Sequence, residues 1–178
     1  MMWRTHVMGG VAALWLLAPL PQFAMPDTMT LACLAAGLGA LLPDLDANNS
    51  KIRHLGGSGI YPFAPVAEHM NREYHHRGAL HSPVGALICG VAAFVLGLSG
   101  FGLPAFALWL GYVSHLALDA CTVSGIPFAP FRKRLYLLPK RLRVVTSSPY
   151  EEIVFAIVSF VSIALALRLL VAMYNGTF

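Results

Sequence analysis

Apolar and polar positions fall along this chain in long blocks, with uncharged stretches separated by short clusters that hold almost every charge. Val7 to Met25 is the first uncharged run, with Pro19 and Pro21 breaking its far end, and Thr28 to Pro43 is a second, shorter one rich in Ala, Leu and Gly. Ser82 to Ser114 then carries no Asp, Glu, Lys, Arg or His at all. That stretch is too long for one membrane crossing, which takes about 17–25 residues. The segment "LGLSGFGLP" at 96–104 divides it, predicting helices over about 82–97 and 103–121. A fifth helix is expected from near Ile153 to about Tyr174, with Arg168 snorkelling outward. Arg4 ahead of the first run also fits a secretory signal, but no small-x-small cleavage site follows, so that run is expected to persist as a span.

Composition agrees with this picture. Of the 178 residues 57% are hydrophobic and 11% charged, against about 25% charged in soluble domains. The expectation is an all-α integral membrane bundle of about five spans, forming one domain over residues 1–178. Cys33, Cys89 and Cys121 lie far apart in apolar segments, form no CxxC pair and read as small hydrophobes.

Charge adds an orientation. Apart from Arg168, every Lys and Arg lies at Arg4, in 51–77 or in 132–143. Five alternating spans put all three places on the side of the first residues, which the positive-inside rule makes cytoplasmic. The basic run "RKRLYLLPKRLR" at 132–143 lies between two spans and is expected to hold anionic lipid headgroups rather than nucleic acid.

The same side collects imidazoles and carboxylates at the helix ends. His6 precedes the first span, Asp44 and Asp46 in "LLPDLD" follow the second, and His76 and His81 in "HHRGALHS" precede the third. His115 and Asp119 in "SHLALD" stand at i and i+4 on the fourth, and Glu151 and Glu152 open the fifth. Ionisable groups beside hydrocarbon are costly and usually pair or bind something. Taken singly, each pair has a structural reading: a His–Asp tie between helices, or a solvated cap. Ser82 and Pro83 read as N-cap and first residue of the third helix. Arg77 suits an anionic group, because its guanidinium holds phosphate bidentately, while His54, His69 and His75 read as bystanders. The chain lacks HExxH, GxSxG and a P-loop.

In order and spacing, Thr5-His6, "LLPDLDANNS", "HRGALHS" and "GYVSHLALDACTVSGIPFAP" resemble the YdjM-like family of bacterial inner-membrane metal-dependent hydrolases. The resemblance runs from His6 to about Pro130. It implies metal-site roles for His6, Asp44, Asp46, His76, His81, His115 and Asp119, with Thr122 and Gly125 in the turn that follows. Leu80 stands where the family commonly has Thr, and Glu151 matches better than Glu152. More distantly, the His/Asp inventory is similar to zinc-dependent phospholipase C and its nuclease relatives, an analogy of ligand type and fold class.

Together these readings lead to a membrane metallohydrolase acting on a lipid phosphoester at the cytoplasmic interface of the inner membrane. Two or more divalent ions, zinc first, are expected, because the candidate donors outnumber the ligands of one tetrahedral ion. Asp44 or Asp46 is the candidate general base and Arg77 the candidate phosphate clamp. The alternative is a non-catalytic membrane protein that uses the same cluster for metal binding, transport or partner interaction. Conduction is disfavoured because the far halves of the helices are almost wholly apolar.

Overall fold

A computed structural model describes residues 1–17, 26–46, 79–128 and 133–175. It is mostly helical: α1 spans Trp3–Leu17, α2 Pro26–Gly39, α3 Pro83–Leu96, α4 Gly102–Ala120 and α5 Pro149–Tyr174. Short 3-10 turns at Leu42–Asp46 and Ala79–His81 follow α2 and precede α3. Among the described residues, five helices stand in the expected order, with three shifts at their ends, and only two helical stretches are long enough to count as candidate spans. The first begins at Trp3 rather than Val7, the second gives way to a tight turn around Pro43, and the fifth starts at Pro149.

Pro83–Ala120, taken through its break, and Pro149–Ala172 are long and apolar enough to cross a membrane, with 38 and 24 residues. Most of their side chains face outward, so their apolar surface needs an apolar surrounding. Thr28–Gly39 is a shorter apolar helix. The long stretch breaks where its glycines predict: Gly97–Phe101 forms a π-turn in which Gly100 takes φ 94°, a conformation that favours glycine. Beyond the break the chain doubles back. Trp109 Nε1 donates to the Ala86 carbonyl and Tyr112 Oη to the Leu80 carbonyl, a pairing that only antiparallel helices produce.

α4 is the central element, packing on α2, α1 and α3, while α1 also contacts α2 and α5. Small residues make this possible, as they do where membrane helices approach closely. A Cβ on Gly111 would lie 2.0 Å from the Ala36 carbonyl oxygen, so only glycine allows α4 to sit this near α2. A Cβ on Gly10 would lie 2.7 Å from the same oxygen, which brings α1 into the same junction. One helical turn beyond these contacts stand His115 and His6.

Between α4 and α5 the chain forms something the apolar pattern did not predict. Ile126–Phe128 (β1) pairs antiparallel with Lys133–Leu135 (β2), and Thr122 bridges Val144. Part of the basic run is therefore folded back on the helix end. Leu137 N–H donates to the Ala120 carbonyl, Arg134 reaches the Ser124 carbonyl, and the Arg143 guanidinium lies 3.5 Å from the Tyr136 ring centre.

Candidate metal centre

Antiparallel packing carries four chain segments to one end of the bundle. His6 comes from the first turns of α1, Asp44 from the turn after α2, and His81 from the turn before α3. His115 and Asp119 come from the last turns of α4. His6, His81, His115 and Asp119 are all but completely buried, and Asp44 keeps a partly open side. Ser82 caps α3 by accepting from Gly85 N–H at 3.4 Å, with Pro83 as the first helical residue, and this fixes where His81 leaves the helix.

The donors fall into two groups that share His115: His6, His115 and Asp119, and Asp44, His81 and His115. Within each group the ligand-type atoms lie within 4.8 Å of one another. His6 Nε2 is 3.4 Å from Asp119 Oδ1, and His81 Nε2 is 3.3 Å from Asp44 Oδ1. His115 Nε2 stands between the two carboxylates, 3.9 Å from Asp44 and 3.8 Å from Asp119. The His6 and His115 rings stack with centres 3.6 Å apart, and His81 meets His115 edge-on.

His115 also carries a second feature of metal chemistry. Its Nδ1 lies 2.7 Å from the Ala40 carbonyl, which assigns the proton to Nδ1 and leaves the Nε2 lone pair aimed into the cluster. That pairing of one ring N–H with a backbone carbonyl is the support metal-ligating imidazoles normally have. Nε2 is buried with no hydrogen-bond partner among the described residues, as is Nδ1 of His6. A buried polar atom without a partner costs free energy unless something fills the place opposite it. A divalent cation fits the donor set present.

Surrounding groups hold the cluster in place. Thr122 Oγ1 donates to the Asp119 carbonyl at 2.7 Å, and the Met1 ammonium lies 2.6 Å from Asp119 Oδ1. Burial resists ionisation of Asp44, but the hydrogen bond from His81 and the neighbouring imidazoles outweigh it. Its carboxyl is held below the ordinary carboxylate range.

The structure places Glu151 differently from the sequence expectation. Among the described residues it joins neither donor group. Its fully buried carboxylate instead accepts from the Met2 N–H, the Thr5 hydroxyl at 3.2 Å and the Ser147 N–H at 2.6 Å. Three donors leave it little lone-pair capacity toward a cation. It ties the start of α1 to the start of α5 and so steadies His6 through Thr5. Ser147 takes φ 63° to present its N–H, an unusual conformation for a residue with a side chain. Glu152 pairs with Arg4 at the surface. Asp46 lies in the turn after α2, with its side chain outside what the structure describes, and His76 and Arg77 fall outside the described residues altogether. The partners that sequence reasoning missed are backbone groups, the Ala40 carbonyl and the Met2 and Ser147 N–H, which leave no mark on residue identity.

A mostly helical chain with outward-facing apolar helices and a buried imidazole–carboxylate cluster at their common end defines a class: a membrane protein with a candidate metal site. The comparisons make the assignment narrower. The chain belongs to the YdjM inner membrane protein family, whose model matches residues 1–177. It is 31% identical over 160 residues to the uncharacterized protein YvsG of Bacillus subtilis, covering 86% of each chain. It is also 37% identical over 108 residues to the inner membrane protein YdjM of Escherichia coli, covering 58% of this chain and 51% of that one. The YdjM of Shigella flexneri matches equally. No solved structure matches significantly.

Proposed function

We propose that this protein is a membrane-bound metal-dependent hydrolase that cleaves a phosphoester, that of a lipid, at the cytoplasmic face of the inner membrane. The observation that carries this reading is His115: a buried imidazole locked by Ala40 so that its free nitrogen faces two carboxylates and two further imidazoles. Such a site has the donors of a catalytic metal centre. Nitrogen and oxygen donors together suit zinc first, then manganese or iron.

His115 has one free nitrogen, so the two donor groups that share it do not make two complete sites. One ion would be held by His115, and a second would draw on the remaining donors, with Asp46 and His76 added from the sequence. A divalent ion held here would supply Lewis acidity and would lower the pKa of water to about 7, giving a nucleophile at neutral pH. The chain's own part is to orient and exclude. Asp119 and Asp44 hold the imidazoles in register, and the apolar helices keep bulk water from the buried side. Asp44, whose side chain is partly open, or Asp46 is the candidate general base. Arg77 is the candidate for holding the phosphate.

The test is metal content of the purified protein in detergent, paired with turnover of defined phospholipids by the wild type and by His115→Ala and Asp44→Ala. Bound zinc, manganese or iron together with turnover that both substitutions abolish is the expected result. A folded protein without metal removes the metal centre. Metal without turnover across a broad phosphoester panel favours the alternative, a metal-binding or helix-tying cluster with no catalysis.

A further inference from the structure

A groove of about 670 Å³ runs between α3 and α4 on the outward, apolar side of the bundle. It starts at Pro83, two residues from His81 of the candidate metal centre, and continues past Ala86, Gly90 and Phe94 to Gly97, with Trp109 as its wall. Trp109 stands six residues before His115 on α4, about 9 Å at the helical rise of 1.5 Å per residue. From Pro83 to Gly97 the same rise gives about 21 Å. One leaflet's hydrocarbon is about 15 Å deep, half of a 30 Å core.

The groove holds almost nothing polar. Among the described residues, the one polar side-chain atom in its wall, Trp109 Nε1, already donates to the Ala86 carbonyl at 3.0 Å. Gly90 leaves room for that indole, since a Cβ there would lie 2.8 Å from Nε1. Leu87, Val91 and Phe94 continue the lining into the exposed apolar surface, so the groove opens sideways toward lipid. One end therefore lies two residues along the chain from the buried His81, and the rest is hydrocarbon-lined and longer than a leaflet is deep. That sequence of chemistries matches an amphiphile lying along α3.

We propose that this groove is the acyl-chain subsite of the protein. It receives one hydrocarbon tail of a membrane phospholipid whose headgroup lies at the His6–Asp44–His81–His115–Asp119 cluster. The inference rests on the hydrolase reading for the headgroup, and it adds the substrate class, a chain-bearing phospholipid entering from the membrane. Gly97 sets the far end of the subsite. It has ordinary helical φ and ψ, and a Cβ there would meet only Gly102 Cα, at 3.8 Å. A larger side chain at Gly97 fits the backbone and projects from the groove's end.

The experiment places the protein in vesicles of phosphatidylethanolamine and phosphatidylglycerol doped with either of two phospholipids. One carries a photoreactive diazirine near the glycerol end of the acyl chain and the other carries it at the chain terminus. Crosslinked residues are mapped by mass spectrometry, and no metal or turnover is required. The expected adducts concentrate on Leu87, Val91, Phe94 and Trp109. In Gly97→Phe the terminal-diazirine adducts fall to the level seen on the outer face of α5, while the glycerol-end adducts persist. Gly102→Leu, also into open space, should act like Gly97→Phe, and Phe160→Leu on the outer face of α5 should change nothing. Adducts spread evenly over all outward faces, or unaltered in both glycine variants, show ordinary surrounding lipid and overturn the proposal. Groove labelling in a metal-free protein would retain the subsite and remove the hydrolase reading. Turnover without groove labelling would do the reverse.

Discussion

At the scale of single residues, the difference between His115 and Glu151 decides how the cluster is understood. Both are fully buried, yet one has an open nitrogen and the other has its oxygens taken by three donors. Their substitutions should therefore separate. His115→Ala is expected to reduce bound metal to background, measured by mass spectrometry of the protein against its phosphorus-free buffer. Glu151→Ala leaves the Met2 N–H, Thr5 hydroxyl and Ser147 N–H without their shared acceptor. Its main effect is expected in thermal unfolding in detergent, a loss of about 1–3 kcal/mol for the buried Thr5 hydroxyl, with the part-buried Met2 and Ser147 N–H groups adding less because water can reach them. Metal should be retained in Glu151→Ala at temperatures where it stays folded, and full metal loss there would place Glu151 among the ligands after all. Thr122→Val removes the hydrogen bond to the Asp119 carbonyl and the one shared with the Ser124 hydroxyl and should cost about 1–2 kcal/mol.

At the scale of elements, the close approach of α1, α2 and α4 is what makes the site, because it sets the Ala40 carbonyl against His115. Gly111→Ala places a methyl 2.0 Å from the Ala36 carbonyl oxygen, and the helices must separate to admit it. Overpacking of this kind costs about 1–3 kcal/mol. The separation also draws His115 from Ala40, so metal affinity should fall together with melting temperature. Gly97→Ala, in helical conformation with open space around its Cβ, is expected to be neutral or to stabilise by about 0.4–1 kcal/mol. Equal destabilisation by both substitutions would mean that glycine matters here for general flexibility and not for helix approach. Much of this level was legible in the chain. Uncharged blocks mark helices because hydrocarbon tolerates few charges, and "LGLSGFGLP" marks the break because glycine alone takes φ 94° comfortably. The i, i+4 spacing of His115 and Asp119 marks one helical face. Two things were not legible. The β1–β2 pair rests on backbone hydrogen bonds in a segment whose composition spoke only of charge. The engagement of Glu151 depends on backbone N–H groups that any residue supplies.

At the scale of the whole molecule, α5 offers the most direct test of which way the site faces. Its 26 residues extend about 39 Å at 1.5 Å per residue, more than the roughly 30 Å of bilayer hydrocarbon. Its two ends should therefore lie on opposite sides of the membrane. The basic segment before it, Lys133 to Arg143, lies on the same side as His115 and Asp119, since Leu137 and Val144 hydrogen-bond the carbonyls of Ala120 and Cys121 just past Asp119. Positive charge is retained on the cytoplasmic side, so the site's side should be cytoplasmic and Tyr174 should reach the periplasmic one. Leu142 and Tyr174 are 65% and 92% exposed, which makes both suitable for labelling once Cys33, Cys89 and Cys121 are replaced by Ala. A membrane-impermeant maleimide should label Tyr174→Cys in intact cells whose outer membrane has been permeabilised. Leu142→Cys should label only in inverted inner-membrane vesicles. Labelling of both from one side would mean that α5 does not cross, and a reversed pattern would put the cluster in the periplasm. In the reversed case a lipid substrate would have to come from the outer leaflet of the inner membrane, and the basic segment would need another explanation than anionic headgroups of the cytoplasmic leaflet.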